Sequence, residues 1–148
     1  MRWIGYIVTI VALFIVFFIV KMERIKIVKL YGIGLIATPI IIIFVDVLIL
    51  FVLKLLGKTE IMQDIGEYSK ILIMALMGFC FVNLGNLCAS LLVDFVLEFH
   101  KRYNKANLNR EPLKFAVNNQ SVISNIFTWI FFISSILVFY GIWILTKF

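Results

Sequence analysis

Histidine occurs once in this sequence, cysteine twice and proline twice, and charged residues make up only 15% of it. Each scarcity removes a class of function. A lone His100 supports neither a histidine-centred metal site nor a Ser-His-Asp arrangement. There is no G-x-S-x-G, no H-E-x-x-H and no phosphate-binding glycine loop. No enzymatic constellation is therefore visible, and no cofactor or metal is expected. Cys80 and Cys88 lie in one apolar run, separated along a helix by about 12 Å. That is too far for a disulfide, so both read as small core residues.

What is present is apolar. Hydrophobic residues form 64% of the chain, where a soluble domain has about 45–50%. Four runs carry them, at residues 3–20, 33–56, 71–99 and 122–146. Each is close to or beyond the roughly 20 residues that cross a bilayer as a helix. The expected fold is an all-α membrane protein of a single domain, with four transmembrane helices in an up-down bundle. Positive charge follows the first run instead of preceding it, so that run reads as a retained helix, not a cleaved leader. Thr9 is its one polar side chain and is expected to face lipid or pack peripherally. Pro39 removes a backbone donor in the second run, and Thr38 stands ready to satisfy the freed carbonyl. Residues 57–70 read as a nearly neutral connector. Residues 104–120 read as the longest loop, with Glu111-Pro112 opening a short interfacial helix that dips Leu113, Phe115 and Val117 into the membrane surface.

The net charge is +6, from 14 basic and 8 acidic residues. The basic residues fall between apolar runs, where they set topology; no basic and aromatic interleaving points to nucleic acid. Lys21, Arg24, Lys26 and Lys29 follow the first run, and Lys101, Arg102, Lys105, Arg110 and Lys114 follow the third. Against these nine, the other side has Arg2, Lys54, Lys58, Lys70 and Lys147. The excess places the first and third loops in the cytoplasm and both termini outside a bacterial inner membrane. Trp3, Tyr6, Tyr68, Tyr140 and Trp143 then form an aromatic belt at the outer interface.

The third run is the informative one. At 100° per residue, Asn83, Asn86, Ser90, Asp94 and Glu98 fall within about 120° of one another. Gly78, Gly85 and Ala89 occupy the opposite face and let another helix approach closely. In the second run Asp46 lies near mid-span, where a charge is costly. Asp46 and Asn83 are therefore expected at one depth, facing each other, with Asn86 one turn further in. A milder stripe on the fourth run holds Ser121, Asn125, Thr128 and Ser135. The expected intramembrane polar network is Asp46, Asn83, Asn86, Ser90, Asp94, Asn125 and Thr128. A single four-helix bundle is too narrow to be a channel, so a pore needs a homo-oligomer in which each copy contributes the polar face of its third helix. Lys101, Arg102, Lys105 and Arg110 are expected to contact lipid headgroups or a cytosolic protein partner. Asp94 and Glu98 read as part of an interfacial charge cluster beside them.

Ile65-Gly66-Glu67-Tyr68, followed by Phe81-Val82-Asn83-Leu84-Gly85, resembles the third-helix region of RexB-like proteins. These are small four-helix membrane proteins of phage-exclusion systems. The resemblance covers about 25 residues and implies a multimeric ion channel that depolarises the host membrane during infection. Asn83 stands where that pattern has an acidic residue, and the second connector is nearly neutral where the family's is basic. The chain alone thus points to an oligomeric ion-conducting or membrane-perturbing effector, as in anti-phage defence. The alternatives are a membrane anchor for a cytosolic partner and an accessory subunit of a transport or secretion complex.

Overall fold

The computed structural model describes residues 2–20, 23–58 and 60–146. Lys21 and Lys147, which enter the charge count above, lie outside them. The described residues contain helices and no strand. Four helices are long and apolar enough to cross a membrane: α1 (Arg2–Ile19), α2 (Arg24–Leu55), α3 (Glu60–Tyr103) and α5 (Gln120–Leu145). The short α4 (Leu113–Asn118) follows Pro112, as the Glu111-Pro112 pair suggests. The last turns of α1 and α5 widen into π turns at Ile15–Ile19 and Gly141–Leu145.

Two helices exceed their apolar runs. α2 starts at Arg24 and continues through Pro39 without a break. α3 starts at Glu60, so most of the expected connector is helical. Glu60 places a negative charge at the positive end of the helix dipole, and Ile61, Ile65 and Tyr68 extend the apolar spacing of the run that follows. Between the two helices the chain reverses at Gly57, whose φ of 69° suits a residue without Cβ. Gly57 N–H donates to Lys54 O at 3.2 Å and Lys58 N–H to Leu53 O at 3.0 Å, which satisfies the last carbonyls of α2.

This reversal sets an antiparallel register in which higher positions on α2 meet lower positions on α3. Arg24 pairs with Asp94, Tyr31 lies beside Phe79, and Gly34 lies under Cys80. Further along, Ser69 Oγ donates to Asp46 Oδ1 at 2.7 Å. The expected Asp46–Asn83 pair therefore does not form. The two positions are separated by roughly 21 Å of α3. Equal depth was inferred from the midpoints of two apolar runs, whereas the tight turn at Gly57 fixes the register from the ends. In a cysteine-free chain, Asp46→Cys with Ser69→Cys should crosslink through a short bis-thiol reagent. Asp46→Cys with Asn83→Cys should not, as read by gel mobility.

α1 and α5 also run antiparallel. Arg2 Nη1 donates to Thr146 O at 2.7 Å, and at the other end Phe18 stacks on Trp129 with centroids 4.5 Å apart. Thr9 is half-buried, the packed one of its two expected placements: it accepts from Trp143 Nε1 at 3.1 Å while donating to Gly5 O at 2.8 Å. Trp143 can reach it because Gly5 offers no side chain. The core is made by Leu13, Ala75, Phe132 and Phe139 from α1, α3 and α5. α2 packs chiefly on α3, and Tyr31 is its only buried residue.

Candidate functional site

The polar face of α3, expected to line a pore between copies, instead opens onto a cleft inside the chain, between α2 and α5. About 290 Å³ in volume, it is lined by Asn83, Asn86, Leu87 and Ser90 of α3, Ser124 and Thr128 of α5, Arg24, Ile27 and Tyr31 of α2, and Val16, Phe17 and Val20 at the end of α1. The cleft exists because α2 and α5 both lie against α3 and leave its polar strip between them. Small side chains on the other strip let α5 close in. A Cβ on Gly78 would meet Phe139 and Ile142 at 3.4 Å, and one on Gly85 would meet Phe131 at 3.0 Å. Ala89 is half-buried.

Asn83 forms the inner end of this cleft. It is only 5% exposed, whereas Phe81 on the outward face is 70% exposed. Asn83 Nδ2 donates to Phe79 O at 2.7 Å, a bond within its own helix. Thr128 Oγ1 likewise donates to Ser124 O at 3.1 Å. Such bonds use one of the two Nδ2 protons of Asn83 and the single hydroxyl proton of Thr128, and Asn86 and Ser90 lie between Asn83 and the mouth. A hydrophilic cavity of this size has room for several ordered waters.

At the mouth, three helices share one polar knot. Arg24 Nη2 pairs with Asp94 Oδ2, and Gln120 Nε2 donates to Asp94 Oδ1 at 2.7 Å. Lys101 Nζ donates to Gln120 Oε1 at 3.3 Å. The knot borders an open bowl of about 600 Å³ lined by Arg24, Asp94, Glu98, Lys101, Arg102, Lys105 and Gln120. Among the described residues, Arg102 and Lys105 have no acidic partner. With the Arg24 side chain 54% exposed, its pair with Asp94 holds α2 only weakly. Arg24→Asp should destabilise by about 1 kcal/mol. Combining it with Asp94→Arg should recover the loss in a thermal melt.

Of the seven expected network residues, Asn83, Asn86, Ser90 and Thr128 line the cleft and Asp94 guards its mouth. Asp46 is bound to Ser69 elsewhere, and Asn125 is exposed. Ser124, one residue earlier, takes the place expected of Asn125. Its spacing of four to Thr128 and eleven to the buried Ser135 was the available signal. The strongly polar Asn125 drew the stripe one position too far. Arg24 and Tyr31 were also missed as cleft residues, since nothing in a one-dimensional pattern brings the start of α2 beside the middle of α3. Of the four expected cationic contacts, Lys101, Arg102 and Lys105 share the bowl. Arg110 lies apart, beside His100 and Asn104. Trp3, Tyr6 and Tyr140 cluster at the opposite end with centroids 6.1 to 6.2 Å apart.

Comparison with protein families, curated proteins and solved structures gives no match. The chemistry of the cleft must therefore be read from its own residues. No group of metal-ligating side chains occurs among the described residues. The cleft itself holds hydroxyl, amide and phenol groups with one guanidinium at its mouth and no carboxylate. This lining can hydrate and hold a small ion or water file, and it contains no nucleophile with an adjacent base.

Proposed function

We propose that the chain is an integral protein of a bacterial cytoplasmic membrane, with its four long helices as an up-down bundle, and that it conducts small anions through the polar cleft. The supporting observation is the run of polar side chains from Arg24 through Ser90 and Asn86 to Asn83 in one cleft, which they share with Val16, Phe17, Val20, Ile27 and Leu87. Polar groups buried at membrane depth mark ion or substrate pathways. The second Nδ2 proton of Asn83 and the amide and hydroxyl groups of Asn86, Ser90, Ser124 and Tyr31 are the donors available to an anion as it sheds water, and the cations at the rim raise its local concentration. Beside Asn83, Tyr31 packs on Phe79 with ring centroids 6.1 Å apart, and conduction requires this aromatic contact to open.

Loop charge orients the rim to the cytoplasm and both termini outward. The outward side of α2 exposes Ile36, Ile40, Phe44, Val47 and Phe51, a broad apolar face that suits a second copy of the chain. Native mass in a nanodisc should correspond to two or more copies; a monomer would contradict the homo-oligomer. The RexB likeness gives this activity a setting, depolarisation of an infected cell. The direct test is purified protein in liposomes under a chloride gradient. The reversal potential should follow chloride. Sealed liposomes at every imposed potential, or a reversal potential set by potassium, would overturn the proposal.

A second reading, docking of a cytosolic protein, is favoured by the ordered loop after α3. There Asn107 Nδ2 donates to Asn104 Oδ1 at 2.6 Å, and Arg110 lies beside these two residues, apart from the Lys101–Lys105 side chains. Copurification of a partner that is lost on charge reversal at Lys101, Arg102 and Lys105 would establish it.

A further inference from the structure

The bowl at the mouth has more cationic charge than its own carboxylates use. Asp94 is already occupied by Arg24 and Gln120, and Lys101 is held in place through Gln120. Arg102 and Lys105 face the same space with no acidic partner among the described residues. Glu98 alone does not balance them. A tetrahedral anion fits such a rim, because arginine offers a planar pair of donors and lysine a point charge.

The bowl also has an apolar neighbour. Glu98 and Arg102 are shared with an adjoining groove of about 520 Å³ that is completed by Phe95, Phe99 and Tyr103. Phe99 and Tyr103 lie with centroids 5.1 Å apart, and Phe95 and Tyr103 are 68% and 69% exposed. Arg102 thus stands between a cationic hollow and an aromatic channel. Both lie at the end of α3 where the apolar run gives way to charge, at headgroup depth if the chain spans a bilayer.

We propose that this composite site binds one anionic glycerophospholipid. Its phosphate sits among Lys101, Arg102 and Lys105, and an acyl chain lies along Phe95 and Phe99. A free phosphate would use the same cations but would leave the aromatic groove empty. The proposal rests on membrane insertion of the helices and not on anion conduction, and it can fail or succeed separately.

The test is lipid retention by the full-length protein, measured by native mass spectrometry after detergent exchange, together with its thermal midpoint. Phosphatidylglycerol should be retained about tenfold over phosphatidylcholine and should raise the midpoint. Arg102→Gln combined with Lys105→Gln should remove that preference, and Phe95→Ser should weaken retention while preserving the charge preference. Arg102, Lys105 and Phe95 are exposed, so these variants keep the fold. Equal retention of the two lipids would overturn the proposal. So would a full stabilising effect from inorganic phosphate alone, which would assign the cations to a free anion.

Discussion

Asn83→Leu is expected to reduce anion flux by about tenfold or more, the consequence of removing one polar contact worth about 1.4 kcal/mol from a transit barrier. The side chain lies at the inner end of the cleft, and its amide keeps a second Nδ2 proton beyond the one given to Phe79 O. Leucine has the same branching but bulkier ends, so Asn83→Ala is measured beside it: flux lost in both variants reports polarity, and flux lost in the leucine variant alone reports filled space. The change to leucine should also leave the protein no less stable. The amide bonds only to a carbonyl of its own helix, and replacing a buried polar group with an apolar one removes a desolvation cost. The measurement is chloride efflux from liposomes beside a thermal melt of the same preparation. Loss of flux with an unchanged or higher midpoint supports the cleft as the path. Asp46→Asn serves as the control. It alters the α2 carboxyl that accepts from Ser69, roughly 21 Å along α3 from Asn83, and flux should stay at the wild-type level.

The largest structural effect is expected at Gly5. A Cβ there would lie 2.4 to 2.7 Å from three atoms of the Trp143 ring. Gly5→Val therefore cannot be accommodated without expelling the indole, which also breaks its bond to Thr9. Overpacking of this kind costs about 1–3 kcal/mol. The loss of the Trp143–Thr9 bond adds about 1 kcal/mol. The thermal midpoint should fall sharply, and tryptophan emission should shift as Trp143 leaves its site. Gly32→Ala and Gly66→Ala provide the contrast. Nothing lies within 4 Å of a Cβ at either position, and both are helical. They should be neutral or stabilise by up to about 1 kcal/mol, since alanine is the better helix former.

The helices themselves were largely readable from the chain. Runs of apolar residues with few breakers leave the backbone no other way to satisfy its hydrogen bonds in lipid. The polar and small faces of α3 were also legible, because a 100° turn per residue is a local rule. What composition could not supply was register between helices. Whether Asp46 meets Asn83 or Ser69 depends on a tight turn at Gly57 and on α3 starting at Glu60, and neither leaves a mark on hydropathy. The same gap explains Arg24. It reads as one more loop cation, yet the α2–α3 register carries it to Asp94 and makes it the rim of the cleft. Gly5 was silent for a related reason: its role lies in a tryptophan 138 positions away. Ser124 against Asn125 shows the limit within one helix, where two neighbouring polar residues both fit the period and only packing chooses.

The polar face of α3 is expected to border water inside the chain while its outer face borders lipid. Cysteine accessibility tests this most directly. With Cys80 and Cys88 replaced by alanine, Asn83→Cys, Asn86→Cys and Ser90→Cys would each be treated in membranes with an anionic, impermeant thiosulfonate from the side of Arg24. Thiols react as thiolates, which form in water and not in hydrocarbon. Positions 83, 86 and 90 should react, while Phe81→Cys and Leu92→Cys on the exposed apolar face should not. Protection of 83, 86 and 90, or reaction only at 81 and 92, would contradict the cleft.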